Sequence, residues 1–586
     1  MAQDEWWNES YQPLSGMKRA LDAILVLSAA TLILIASIGG IDIQLGQLSI
    51  RARDWLRPAM ALVLSLSARA ALSLVQHKSG ASALAEAVSY ISIRGLLALI
   101  VAAVLAYSQF HVRVAGGLDS YGYVSTARLI ASGHLSESQP LASILPFPDP
   151  LKAATPMGHV PATEGFSSVP RFPIGLPVMM ALFSAFHTTG PFFVPLVMAY
   201  VALALAYLIG RRSSDRLTGL FAAALVALDP VFAMSAVQPM SDVPATCWLL
   251  AAICAVHTGN TPSPEGSPGA RSILWNMTAG ICAGMAVLTR PVLLPAVLVF
   301  LVIHLLRTQS RSAWAAAVTT SVFLLLQIGL NATLYGTLTM SGYGSASHMF
   351  EVSFSRIAAN LSNFGKWLTY SRSALIWLAW PAALVVLRRD RRAWELSAIA
   401  AAAAAPYLFY LVFDNWDSSR FLLPTIVLVL IVCALALSQF LSLRTAQAWR
   451  PAVMFAIAFT SGFVSQQFLQ REGIGRTRVE EAKYALVGEW FRQNTSERAV
   501  VLSSLHSGAI RLYGSRPTIR WDEMPGDSLD ATIQRLVGSG YEPYLALDTP
   551  SEPPIYEERF RSQSTSAEPI ARVRVVNIYK FASTNK

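Results

Sequence analysis

Apolar and polar positions in this chain alternate in long blocks, not residue by residue. Apolar runs of roughly fifteen to twenty-two residues recur near 21–38, 58–75, 95–110, 191–210, 217–234, 243–257, 273–289, 291–306, 313–331, 373–387, 396–412, 421–441 and 451–468, each long enough to cross a bilayer as a helix. Alternating segments of the barrel type are missing, so the spans are helical. From about residue 471 the block pattern stops. An amphipathic helix over Arg478–Gln493, a strand over 499–503, a helix near Asp530–Gly538 and strands over Tyr544–Leu547 and Arg572–Phe581 are expected there. The predicted fold class is an α-helical polytopic membrane protein of about thirteen spans with a small C-terminal soluble α/β domain. Its expected organisation is a two-span extension over 1–94, a transmembrane domain over 95–470 and an extracytoplasmic domain over 471–586.

Charge sets the orientation. With the N-terminus and Lys18-Arg19 in the cytoplasm, the inner loops hold Lys78 and Arg94, Arg211-Arg212 with Arg216, Arg271, Arg307 with Arg311, the run Arg388 to Arg392, and Arg444 with Arg450. This obeys the positive-inside rule. The loop with Arg51, Arg53 and Arg57 is the exception. The apolar stretch Ile174–Phe186 is short and opened by prolines, so it reads as a half-helix that dips back to the outer side. Residues 111–190, Pro239–Asp242, 332–372, Phe413–Arg420 and the C-terminal domain then lie outside. No small-residue cleavage site follows the first apolar run, which reads as an anchor and not a removed signal peptide.

Composition narrows the function. The 586 residues are 54% hydrophobic and 14% charged, with a mean hydropathy of +0.46, and no soluble chain of this length needs so little charge. The net charge of +10 comes from short clusters between spans, with no basic stripe or stacking motif, which excludes a nucleic-acid partner. Cys247, Cys254, Cys282 and Cys433 lie inside apolar runs without metal-ligand or CxxC spacing and read as small core hydrophobes. Pro262 to Pro268 reads as a cytoplasmic linker, and no repeats occur.

Candidate chemistry collects on the outer face. Asp119 follows Gly116-Gly117 and opens a helical stretch in which Tyr121 and Arg128 share one side and Tyr123 takes the other. It reads as a helix cap, a reactive carboxylate, or both. Arg171 lies in Pro170-Arg171-Phe172-Pro173, where a guanidinium suits a phosphate or simply snorkels. Asp242, in Ser241-Asp242-Val243-Pro244, starts a span. Arg290 interrupts an apolar stretch, which is costly unless it meets water, a partner or an anion. Tyr343 in Ser341-Gly342-Tyr343-Gly344 and the cluster Asp414, Asp417 and Arg420 complete the set, with an Asp417–Arg420 ion pair as the plain structural alternative.

In order, the motifs are Gly-x-Asp-x-x-x-Tyr around Asp119, Pro-Arg-Phe-Pro-Ile-Gly-Leu-Pro around Arg171, Asp-Pro then Ser-Asp-Val-Pro around Asp242, Gly-Met-Ala-Val-Leu-Thr-Arg-Pro ending at Arg290, Tyr-Gly-Thr-Leu then Ser-Gly-Tyr-Gly around Tyr343, and Trp-Asp-Ser-Ser-Arg-Phe-Leu-Leu-Pro around Arg420. The series resembles the GT-C superfamily of polytopic glycosyltransferases, near the protein O-mannosyltransferases and aminoarabinose transferases, over about 95 to 441. The resemblance implies an inverting sugar transfer from a polyprenyl-phosphate donor to a glycan, lipid or protein acceptor outside a bacterial inner membrane. It makes Asp119 the general base, matches Asp242 to a later acidic position, and leaves Tyr121, Tyr123, Arg128, Arg171, Asp242, Arg290, Tyr343, Asp417 and Arg420 as substrate-binding candidates. No cofactor is certain. A divalent metal ion is allowed by the resemblance, but many members carry two adjacent acidic residues where this chain has Asp119 followed by Ser120. A transporter or flippase, or a non-catalytic envelope protein, is the alternative; no charge pair at midspan depth and no inverted repeat supports the first of these.

Overall fold

A computed structural model describes residues 5–38, 41–45, 48–52, 57–62, 64–65, 80–259, 268–308, 311–371, 374–442 and 449–582. Most of them are helical. Among the described residues, seven helices are long and apolar enough to cross a membrane: Ala87–Phe110, Gly190–Ser213, Arg271–Thr289, Pro291–Thr308, Arg311–Tyr335, Trp416–Ser442 and Arg450–Arg471. An eighth expected span, 217–234, is two helices, Arg216–Ala227 and Pro230–Ala236, set at 69° to each other. The break has a local cause. Pro230 cannot continue the helical hydrogen bonding, and the Asp229 carboxylate accepts from the N–H groups of Val231 and Phe232, both at 3.0 Å, so it caps a new helix.

The remaining apolar runs behave individually. Run 21–38 lies in the helix Glu5–Ile38. Runs 243–257, 373–387 and 396–412 give the shorter helices Asp242–Gly259, Ala374–Val386 and Arg391–Ala404, the last passing into a 3₁₀ turn, Ala405–Leu408. Run 58–75 falls largely outside the described residues, as does the linker Pro262 to Pro268 except at its end. Gly175–Ser184 is a ten-residue helix, about 15 Å long and too short to cross. The spans enclose one large apolar core, to which the helix Leu423–Ser442 contributes along almost its whole length.

The segments between and after the long helices form sheets. A hairpin, β1 (Ile41–Leu45) and β2 (Leu48–Ala52), follows the first helix. The first long segment between spans, residues 111–189, called the first outer loop after its expected placement, carries β3 (Glu137–Ser138), β4 (His159–Pro161) and β5 (Ser167–Pro170) in the order β3-β5-β4. The C-terminal domain opens with the helix Thr477–Asn494 and carries β6 (Ala499–Leu502), β7 (Thr518–Ile519), β8 (Glu542–Asp548), β9 (Ala567–Val573) and β10 (Val576–Phe581) in the order β7-β6-β8-β10-β9. Strands β6, β7 and β8 are parallel; β8, β10 and β9 are antiparallel. The single strand expected over Arg572–Phe581 is instead the end of a hairpin, which turns at Arg574 in a left-handed conformation, φ 58°. Arginine is an uncommon residue there, and the turn therefore carries no sequence signal.

The first outer loop and the C-terminal domain share one hydrophobic core. Leu141, Leu145, Phe147 and Ala154 pack with Val500, Leu502, Ile519 and Trp521. Arg511 binds the two parts together: it donates to the Gln139 carboxamide oxygen at 2.7 Å and to the Ala154 carbonyl at 2.5 Å.

Candidate functional site

Gly116 and Gly117 place Asp119. Gly117 has φ 58°, and a Cβ on Gly116 would collide with the Tyr484 ring of the C-terminal domain. Only glycine lets the chain turn that closely under the tyrosine. The helix Asp119–Ala131 then starts, with Leu118 as its cap residue and no side-chain capping bond. The Asp119 carboxylate is thus free of the capping role and accepts from Arg420 Nη2 at 2.8 Å. The helix lies against the proline-rich segment, because a Cβ on Gly122 would sit 2.5 Å from Phe172.

That contact carries Arg171 into the site. Its carbonyl leaves no room for a Cβ on Gly342, so the Ser341–Gly344 turn is seated directly on it. The Arg171 guanidinium lies 5.9 Å from the Tyr343 ring centre, and its Nε is buried with no hydrogen-bond partner. Phe172 packs at a tilt against Tyr123, ring centres 4.8 Å apart, and meets Tyr343 edge-on at 5.7 Å. Tyr123 donates to Ser241 Oγ at 2.9 Å. Burial pushes the Tyr123 and Tyr343 phenols well above their ordinary range, so both stay neutral donors.

Asp242 forms an ion pair with Arg290, with side chains 5% and 13% exposed. Arg290 stands in extended backbone between the helix that ends at Thr289 and the 3₁₀ turn Pro291–Leu293. Such a break at the end of a span turns a guanidinium out of the apolar stack. The guanidiniums of Arg290 and Arg420 both approach the Phe421 ring, at 5.5 and 5.6 Å, and Arg420 Nη1 also touches the Met240 sulfur.

These residues line one cavity of about 810 Å³. Asp119, Tyr123, Arg171, Asp242, Arg290, Tyr343, Asp417 and Arg420 all reach it. Arg420 pairs with Asp119 and not with its near neighbour Asp417, while Asp414 binds Lys366 at 2.8 Å and the Trp367 indole at 3.0 Å. Tyr121 and Arg128 lie elsewhere. Tyr121 stacks on His159 at 5.9 Å, under Gly508 of the C-terminal domain. Arg128 points to the Leu512 carbonyl at 3.5 Å. They join the first outer loop to that domain.

Sequence reasoning missed other cavity residues. Gln327 donates to Asn331 at 2.9 Å from the next turn of the same span, and two polar residues four apart in an apolar run are a readable signal. Glu481 reaches the cavity from the C-terminal domain, and burial raises its carboxyl above the usual range. In sequence it is one half of Glu480-Glu481 on an amphipathic helix and looks like solvent-facing surface.

The donor set does not fit a divalent cation. Asp119 and Asp242 are each neutralised by an arginine, Ser120 stands where a second adjacent carboxylate would be needed, and among the described residues no three His, Cys, Asp or Glu gather as ligands. Positive charge in the cavity comes from guanidiniums, which suits an anionic ligand.

Residues 170–329 match the family model of dolichyl-phosphate-mannose-protein mannosyltransferases. The fold is similar to that of ArnT from Cupriavidus metallidurans bound to undecaprenyl phosphate, with a TM-score of 0.54 at 13% identity over 83% of this chain and 98% of that one. The same protein in the apo state gives 0.54 at 12% identity, over 83% and 97%. The Archaeoglobus fulgidus oligosaccharyltransferase is less similar, with a TM-score of 0.48 at 15% identity over 83% and 73%. No curated protein matches the chain in sequence. The family match over residues 170–329 and the similarity of fold agree with the resemblance to the GT-C superfamily read from the order of motifs.

Proposed function

We propose that the chain is an inverting glycosyltransferase that moves a sugar from a polyprenyl-phosphate donor to an acceptor hydroxyl in the outer cavity. One observation carries the reading: a half-buried carboxylate, Asp119, stands in one cavity with Arg420, Arg290 and Arg171, at the ends of apolar helices. That inventory matches the reaction. The leaving group is a lipid phosphate whose growing charge calls for guanidiniums and not a proton donor, and the attacking group is a hydroxyl that needs one base. The match to the mannosyltransferase model and the likeness to a protein bound to undecaprenyl phosphate support the same donor class.

In this mechanism the donor phosphate draws Arg420 away from Asp119. The carboxylate is then left with an oxygen open to the acceptor hydroxyl. Asp119 takes the acceptor proton, and the acceptor oxygen attacks the anomeric carbon from the face opposite the phosphate. The carbon–oxygen bond to the phosphate breaks, and its electron pair leaves with the phosphate. Arg290 and Arg171 hold that charge, while Tyr123 and Tyr343, neutral and ring-packed, present hydroxyls to the sugar. The products are an inverted glycoside, free polyprenyl phosphate and a protonated Asp119, which then loses its proton to water. The prenyl chain would lie between spans beside Gln327 and Asn331. The placement is a bacterial inner membrane with the N-terminus cytoplasmic and the C-terminal domain outside, and the acceptor is a glycan, lipid or protein.

The test is sugar transfer by the purified protein in liposomes, with a panel of radiolabelled polyprenyl-phosphate sugars and crude envelope acceptors. Transfer of label from a donor in the panel supports the reading. Retention of every label on its lipid carrier overturns it.

A further inference from the structure

A second, smaller pocket lies at the other end of the bundle. Its residues sit on the helices that begin at the outer cavity. His257 is fifteen residues beyond Asp242 in the helix Asp242–Gly259, and Arg307 is seventeen beyond Arg290. At 1.5 Å per residue those separations are about 22 and 25 Å, close to the depth of a bilayer core. The pocket of about 120 Å³ is also lined by His304, Arg392 and Glu395. A space of this size is well above the roughly 10–15 Å³ that one water needs.

The charges there are unevenly matched. Arg307 binds Glu395 through both carboxylate oxygens, at 2.7 and 2.5 Å, and this uses up the carboxylate. Arg392 donates to a backbone carbonyl, that of Arg212, and meets Glu395 only through its field, because Arg307 holds both carboxylate oxygens. Asp390, close in sequence, spends an oxygen on the N–H groups of Arg392 and Ala393 at the start of their helix and does not line the pocket. His304 is fixed between Asn276 Oδ1 at 2.6 Å and Thr308 Oγ1 at 3.2 Å. The Nδ1 of His257, by contrast, is buried without any hydrogen-bond partner. A buried ring nitrogen with no partner is a rare and costly state. Arg392, Arg307 and Arg212 all act on His257, and a single carboxylate, Glu395, lines the pocket with them, so an anion would satisfy both the excess charge and the ring nitrogen.

The geometry points to an oxyanion site here, one that binds a phosphate group between the Arg392 guanidinium and the Nδ1–H of His257 on the face opposite the outer cavity. Basic pockets between spans take phosphate-bearing headgroups in this way, and a free phosphate ion offers the same oxygens. The site uses none of the groups that line the outer cavity.

The full-length protein in a neutral maltoside detergent tests this by native mass spectrometry, titrated with inorganic phosphate or with phosphatidylglycerol. A single saturable adduct is expected. Arg392→Gln should weaken it about tenfold, the worth of one charge-assisted hydrogen bond. Glu395→Gln should tighten it several-fold, because Arg307 is then released to the anion. An adduct formed with phosphate but not with the lipid identifies a free oxyanion as ligand, and the reverse identifies a headgroup. No adduct with either probe, or affinities that respond to Arg290→Gln in the outer cavity and to neither pocket substitution, would overturn the proposal. The opposite signs expected of the two substitutions separate it from a general loss of folding.

Discussion

The Asp242–Arg290 pair offers the sharpest energetic test of the outer cavity. Both side chains are nearly out of solvent, at 5% and 13% exposure, so screening by water is slight. At an effective dielectric of about 20 and a separation of about 4 Å, two unit charges attract by roughly 4 kcal/mol. Removing one partner strands the other and costs about 3–5 kcal/mol. Asp242→Asn and Arg290→Gln should therefore each destabilise the protein by about that amount. The double substitution removes the stranded charge with its partner and should cost less than the sum by about 2–4 kcal/mol. Equilibrium unfolding in mixed micelles measures all four proteins. A ligand prediction accompanies the energetic one: with Asp242 neutral, Arg290 lacks its counter-charge, so undecaprenyl phosphate should stabilise Asp242→Asn more than wild type. Coupling below about 0.5 kcal/mol, or equal stabilisation by the lipid, would refute the reasoning.

Two further outcomes follow from the contact between residues 111–170 and the C-terminal domain. Burial, with Arg511 adding to it, pushes His159 down to about 3, so the ring is neutral when folded and takes a proton near pH 6.5 when unfolded. Its stabilising effect is complete above the unfolded value and is lost as the pH falls, by about 2 kcal/mol at pH 5; unfolding at pH 7 and pH 5 should show that loss in wild type and a smaller one in His159→Gln. Gly116→Ala drives a methyl into the Tyr484 ring, which is itself held against His506 at 4.6 Å. It should cost about 1–3 kcal/mol and lower sugar transfer by moving Asp119; in a Tyr484→Ala background, where the ring is gone, Gly116→Ala should add little further loss, as the same unfolding assay would show.

Much of the cavity is legible in the sequence because a charge at the end of an apolar run is costly unless it meets water, a partner or a ligand. Asp119, Arg171, Asp242, Arg290 and Arg420 are each ambiguous alone, yet all five reach one space. The pairing is not legible. Nothing local indicates that Arg420 leaves Asp417 for Asp119, because that choice depends on how the Asp119 helix lies against Phe172. Helical periodicity separates Tyr121 and Arg128 from Tyr123 correctly, but it cannot say that their side meets the C-terminal domain. The 217–234 run reads as one span although it contains Asp229-Pro230, a cap followed by a helix breaker, which sets the 69° bend. Glu481 is invisible because an amphipathic helix shows which residues are polar and not what they face.

The central claim is that Asp119 takes the acceptor proton, and single-turnover transfer from bound donor tests it most directly. Wild type and Asp119→Asn would be loaded with the polyprenyl-phosphate sugar found active in the panel, and the formation of glycoside timed after acceptor is added. The account predicts donor binding by both proteins and transfer slowed by about 10²–10⁴-fold in Asp119→Asn, the usual contribution of a general base. Equal rates with equal binding would contradict it and remove Asp119 from the chemistry.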